Sequence, residues 1–127
     1  MLFAQLALAE PRVHDADTLY VGQTGYRLAG VDAPEIGDRA ECPAEHRAGI
    51  AARDRARALV AGARRVEARP AQGNAGERWR DAEDWPRDRF RRRLATISVD
   101  GRDLGELLIA EGHAARWRGY KTDWCRV

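Results

Sequence analysis

Lysine is almost missing from this chain: of 22 basic residues, Lys121 alone is not arginine. Arginine grips phosphate through a planar, two-pronged donor set, so an arginine-dominated surface suits an anionic polymer; codon usage in a GC-rich genome is the alternative source of the bias. Cysteine is scarce too. With only Cys42 and Cys125, no CxxC and no His/Cys spacing of the zinc type, a structural zinc site is excluded. Two thiols that far apart are either joined, which implies an oxidising compartment, or separately buried. No apolar run is long enough to span a membrane. The apolar start, residues 1–9, ends in an Ala-x-Ala pattern but has neither a basic leader nor a long apolar stretch. It reads as a first strand or loose arm, with a signal remnant as the alternative. Internal repeats and low-complexity tracts are absent.

What is present suits a single globular domain over residues 1–127, since 44% of residues are hydrophobic and 33% charged. Residues 5–14 read as a weak strand, with Pro11 pointing to an edge or a bulge. Thr18–Val21 and Tyr26–Val31 read as a hairpin turning through Gly22-Gln23-Thr24-Gly25, and Pro34, lacking an N–H, stops the ladder. Pro43 opens a helix whose small-residue stripe is Ala48, Ala52, Ala56, Leu59 and Val60, with Gly62 as its cap. Val66–Arg69 is a short strand. Residues 70–87 form a long loop without apolar periodicity, in which Trp79 and Trp85 either fold the loop onto the body or offer a stacking surface. Arg89–Val99 reads as a strand, Asp100-Gly101 as a turn, and Asp103 with Glu106 as the start of a helix that Gly112 ends. The pattern predicts a mainly β, α+β fold: a small β-barrel with two or so helices packed outside it.

The chemistry-bearing residues cluster around the hairpin. Asp15 and Asp17 precede its first strand, Arg27 lies in its second, and Asp32 and Glu35 sit in the turn that follows. Carboxylates packed beside one arginine are costly unless a cation or an anionic ligand offsets them. An EF-hand is excluded, because Leu19 and Tyr20 occupy the positions that need an oxygen ligand and a glycine. The remaining possibilities are a split site for a hard cation, with Asp17 and Asp32 from neighbouring segments, or ordinary solvated and capping carboxylates. The run Asp88-Arg-Phe-Arg-Arg-Arg93 is the densest basic stretch. Strand alternation predicts that Arg92 faces away from Arg91 and Arg93, one face entering a cleft, unless the run is a charge-guarded edge.

Taken in order, these pieces resemble the staphylococcal nuclease (thermonuclease-like) family. The match rests on Asp15-Ala-Asp-Thr18, Tyr26-Arg-Leu-Ala-Gly-Val-Asp-Ala-Pro-Glu35, Asp88-Arg-Phe-Arg-Arg-Arg-Leu-Ala95, the Asp100-Gly101 turn, and the helix running to Gly112. The resemblance implies a five-stranded OB-fold barrel and a calcium-dependent endonuclease acting on DNA or RNA as a monomer. It implies Asp17, Asp32 and the Ala33 carbonyl as Ca²⁺ ligands, with Asp15 behind them. Arg27, Glu35 and Arg92 become the catalytic residues, and Arg89 and Phe90 the nucleotide contacts. Ala16, Phe90 and Arg91 depart from the family pattern, which has glycine, tyrosine and glycine there. The chain also ends soon after the second helix, so a Cys42–Cys125 bridge is the expected tether for its tail, in a secreted or periplasmic protein. A non-catalytic nucleic-acid binder with a partly degenerate site is the alternative.

Overall fold

The computed structural model describes residues 5–71 and 85–126. Trp79 and most of the 70–87 loop lie outside the described residues, as do residues 1–4 of the N-terminal arm. The elements run β1 (Leu6–Ala7), β2 (Arg12–Asp15), β3 (Thr18–Val21), β4 (Thr24–Leu28), β5 (Val31–Asp32), α1 (Pro43–Ala61), β6 (Val66–Pro70), β7 (Arg93–Val99), β8 (Arg102–Asp103), α2 (Leu104–Ala110) and β9 (Ala115–Arg116), with a 3-10 turn at Gly37–Arg39. A mixed sheet in the order β1-β6-β7-β4-β3-β2 curls into a half-barrel; β8 pairs with β7, and β5 pairs with β9 as a separate ribbon. Among the described residues, all strand pairings are antiparallel except β4 with β7. The five longer strands, β2, β3, β4, β6 and β7, make up the OB-like α+β core of the fold, with the two helices against it.

β7 shows why the sheet curls around a single core. Arg93, Ala95, Ile97 and Val99 point inward at every second position, and β-branched Ile and Val suit the pleat. They meet Leu19, Leu104 and Leu108, which are fully buried. The Asp100-Gly101 turn closes β7 on β8 with both residues at positive φ, as a two-residue hairpin requires. The Asp100 carboxylate then accepts from the Arg64 and Arg65 N–H groups and ties this turn to the end of α1.

Three boundaries differ from the expectation. The 5–14 segment splits into β1 and β2 around Pro11, beside Glu10 at φ 50°. The hairpin turn is the two residues Gly22-Gln23, since Val21 pairs with Thr24. Its second strand stops at Leu28, because Gly30 at φ 73° bends the chain away, so Val31 and Asp32 pair with β9 instead. The alternation expected for Arg91–Arg93 also fails. Arg91 has φ 68°, the strand begins only at Arg93, and Arg92 lies in the turn before it. Arg93 is the inward one, hydrogen-bonding the Tyr26 hydroxyl at 2.8 Å. Trp85 is buried edge-on to Tyr26 and holds its end of the loop on the barrel.

In α1, Pro43 occupies the first turn and the Cys42 Sγ accepts from the Glu45 N–H. The buried face is Glu45, Gly49, Ala52, Ala56 and Val60; Ala48 and Leu59 flank it. Small residues there let the helix axis approach the chain closely, and that approach fixes the turn after β5.

Candidate active site

The site is built around the bend between β4 and β5, where the loop after β5 folds over the N-terminal half of α1. A register shift between Val13 and Asp15 lifts the end of β2, and the Leu28 N–H donates to the Asp17 carbonyl at 2.9 Å. Asp17 is thereby tucked under β4. Its carboxylate lies 3.4 Å from the Arg27 guanidinium and accepts from the Thr18 hydroxyl at 3.0 Å. Burial, then the adjoining Asp15 carboxylate, push Asp17 up to about 7 against the pull of Arg27 and Thr18. Burial works to raise Asp15 as well, but its hydrogen bond with Asp17 and the neighbouring His14 leave it below its ordinary value. Among the described residues, a buried Asp15 oxygen has no hydrogen-bond partner.

Arg27 spans two elements. One guanidinium nitrogen donates to the Leu28 carbonyl at 2.7 Å and the Val31 carbonyl at 3.2 Å, while the other faces Asp17. It therefore clamps the bend between β4 and β5. Asp32 and Ala33 beyond that bend are both buried. Asp32 accepts the Thr122 N–H at 2.6 Å, and its second oxygen lies 3.8 Å from the Lys121 ammonium.

Glu35 is held by its backbone and its head group. The buried Glu45 carboxylate accepts the Glu35 N–H at 3.0 Å and the Glu41 N–H at 2.9 Å, closing the 35–41 loop over the start of α1. His46 accepts the Gly37 N–H at 2.9 Å. Gly49 lies under this loop so closely that a Cβ there would stand 2.6 Å from the Glu35 carbonyl oxygen. The Glu35 carboxylate accepts from Lys121 at 3.0 Å.

Arg92 is fixed by Asp88, whose carboxylate accepts its Nε at 2.6 Å and its backbone N–H at 2.9 Å. Burial works to raise Asp88, but these contacts hold it below the usual carboxylate range. Arg92 also donates to the Thr18 hydroxyl at 2.9 Å and lies over the Phe90 ring, as does Arg89. Gly25 makes room for it, since a Cβ there would fall 2.8 Å from the Arg92 Cγ.

Two adjoining depressions result. A cavity of about 590 Å³ is lined by Asp15, Glu35, Arg39, Phe90 and Arg92 among others. A groove of about 400 Å³ is lined by Arg27, Arg89, Phe90, Arg92 and Trp117. Arg92 and Phe90 form the ridge between them. Glu35 and Arg27 thus each share a depression with Arg92, but not the same one, and neither depression is lined by Asp17 or Asp32. Among the described residues, no group of three or more His, Cys, Asp or Glu is placed to hold a metal ion. The donor chemistry nevertheless fits a hard cation: the acidic side offers carboxylate oxygens, and one buried Asp15 oxygen is unpartnered among the described residues. Cys42 and Cys125 are bridged, with Cα atoms 6.1 Å apart, and the bridge brings the tail to this side of the molecule.

The fold is an OB-like α+β half-barrel whose β4–β5 bend holds Arg27 against Asp17, with Asp32 just beyond it. The model of the family described as "Staphylococcal nuclease homologue" matches residues 26–125, and the chain belongs to that family. A search among curated proteins finds no match.

Several contributors carried no sequence signal of their own. Glu45 and Gly49 sit inside a plain helical pattern and matter only because the 35–41 loop folds over them. Lys121 did stand out, as the lone lysine, but nothing local tied it to residues some ninety positions earlier. Asp88 opened the basic run without marking itself as the residue that aims Arg92.

Proposed function

We propose that the protein is a calcium-dependent endonuclease that hydrolyses phosphodiester bonds of DNA or RNA, acting as a secreted or periplasmic monomer. Membership of the nuclease family carries the class of reaction, and the shared cavity of Glu35 and Arg92 carries the assignment of residues. In this reading Arg92, on the ridge, and Arg27, in the groove beside it, bind the phosphate oxygens on which charge builds. Glu35 takes the proton from the attacking water as the new P–O bond forms and the bond to the leaving sugar oxygen breaks, that oxygen leaving as a hydroxyl with a proton from solvent water. Asp17, Asp32 and the Ala33 carbonyl would hold the cation, with Asp15 behind them. When bound, that ion supplies Lewis-acid stabilisation of the phosphate charge. Arg89 and Phe90 contact the nucleotide, the ring offering a stacking face that is half exposed. The Cys42–Cys125 bridge supports an oxidising compartment.

One observation favours a second reading, a nucleic-acid binder without turnover: the Glu35 carboxylate is already engaged by Lys121. The deciding experiment is release of acid-soluble nucleotide from single-stranded DNA and RNA with Ca²⁺ and then with excess chelator. Release that stops on chelation is expected. Strand binding without release under any divalent ion establishes the binder.

A further inference from the structure

The lone lysine of the chain rests on the two acidic residues the proposed chemistry depends on most. Lys121 lies 3.0 Å from a Glu35 oxygen and 3.8 Å from an Asp32 oxygen, and the next N–H, from Thr122, donates to the other Asp32 oxygen at 2.6 Å. Among the described residues, Lys121 is the only cation in an ion pair with either carboxylate. Arg27 is turned to Asp17 and Arg92 to Asp88. The segment is fastened from both sides. On one side β9 pairs with β5 and the Trp117 N–H donates to the Gly30 carbonyl; on the other, Trp124 is buried and Cys125 is bridged to Cys42. The Asp32 side chain is 4% exposed and that of Lys121 51%, so the ammonium covers a buried carboxylate from the solvent side. A lysine suits such a place better than an arginine, because its charge is compact and its stem is free to swing out.

We propose that Lys121 is a built-in counter-cation for Asp32 and Glu35, and that a divalent cation entering this site must displace it. The inference rests on the proposed assignment of Asp32 to the cation. The ammonium keeps the acidic turn assembled when no metal is bound, and it competes with the metal for the same oxygens. It thereby sets the cation affinity of the site, and its departure uncovers Glu35 for water.

Calorimetric titration of the intact, oxidised chain with Ca²⁺ at low ionic strength tests this, comparing the parent with Lys121→Met and Lys121→Arg. Removing a unit charge a few ångströms from a divalent ion should tighten binding at least about tenfold in Lys121→Met. Lys121→Arg keeps the charge and should stay within about threefold of the parent. Equal or weaker binding by Lys121→Met overturns the inference, as does absence of Ca²⁺ binding by both proteins. Equal tightening in Lys121→Arg overturns it too, since the effect would then be steric. The cleavage assay is read separately. Tighter binding by Lys121→Met without cleavage by any form upholds the counter-cation and defeats the nuclease reading. A parent that cleaves, with an affinity Lys121→Met does not tighten, does the reverse.

Discussion

Gly49 sits in the middle of α1, where replacing glycine by alanine ordinarily stabilises a helix by about 1 kcal/mol. Here the sign should reverse. The added Cβ would lie 2.6 Å from the Glu35 carbonyl oxygen and 2.7 Å from the Ile36 Cγ1. Ile36 can adjust its rotamer, but the carbonyl is backbone and cannot turn aside. Restoring an ordinary contact moves the Glu35 backbone by roughly 0.6–0.8 Å, and overpacking of this kind costs about 1–3 kcal/mol. The shift also stretches the Glu35 N–H bond to Glu45. Net of the helix gain, Gly49→Ala should lose up to about 2 kcal/mol. With an unfolding entropy of about 0.27 kcal/mol/K for a chain of this size, its midpoint should fall by up to roughly 7 °C. Displacing the proposed base by that distance should slow single-turnover cleavage by about tenfold or more, given ~100-fold for a full ångström. Gly62→Ala is the control, because Gly62 has φ −82° and a Cβ there would meet only the Ala58 carbonyl, at 3.3 Å. That variant should melt close to the parent. A Gly49→Ala protein that melts higher than the parent and cleaves at the parental rate would refute the claim that this contact positions Glu35.

Reducing the Cys42–Cys125 bridge frees a loop with a sequence separation of 83. In the chain-entropy account that removes about 4.5 kcal/mol, so thermal scans with and without a phosphine reductant should differ by roughly 15 °C; coincident scans would show that the bridge does not constrain the unfolded chain. Asp17 has a folded value of about 7, above its unfolded one, so its contribution to metal-free stability is complete below about pH 4 and is lost as pH rises through 7. Asp17→Asn in chelator should therefore exceed the parent at pH 8 by at least about 1.4 kcal/mol, the worth of one pKa unit, and match it at pH 4; denaturant titrations at the two pH values read this out. Arg92→Lys keeps the charge but loses the forked contact with Asp88 and Thr18, and should cut turnover by about 100-fold or more under single-turnover conditions. Glu35→Gln should slow cleavage while strand binding, read by fluorescence anisotropy, stays near parental.

Most of the barrel was legible because its signals are local. The alternation of Ala95, Ile97 and Val99, the Asp100-Gly101 turn and the Pro43 helix start each reveal themselves within a few residues. The strand ends were not legible, because they depend on backbone states rather than on side-chain pattern. Arg91 looks like one more strand arginine, yet its positive φ creates the turn that aims Arg92. Gly30 reads as a tolerable glycine in a strand, yet it turns Asp32 toward β9. The site was legible in its residue types and not in its contacts. Nothing near Arg27 predicts that it binds the Leu28 and Val31 carbonyls, and nothing near Asp32 predicts an amide from Thr122. Such contacts are fixed by where distant strands and the bridged tail come to rest.

The parallel pairing in the sheet has a kinetic meaning. β4 meets β7 with Tyr26, Arg27 and Leu28 opposite Arg93, Leu94 and Ala95, so this seam joins segments separated by about half of the chain. The β3–β4 hairpin and α1 are local and can form within microseconds, whereas a seam of this sequence separation waits on the closure of a long loop. Arg27 lies on one side of the seam and Arg92 just ahead of the other. The two guanidinium groups therefore become neighbours only when the seam closes, late in folding. An emerging chain that has not yet released β7 carries the acidic turn and Arg27 but cannot yet place Arg92 beside them. On the proposed nuclease reading, cleavage requires the closed seam, so a chain truncated before β7 should be inert toward nucleic acid.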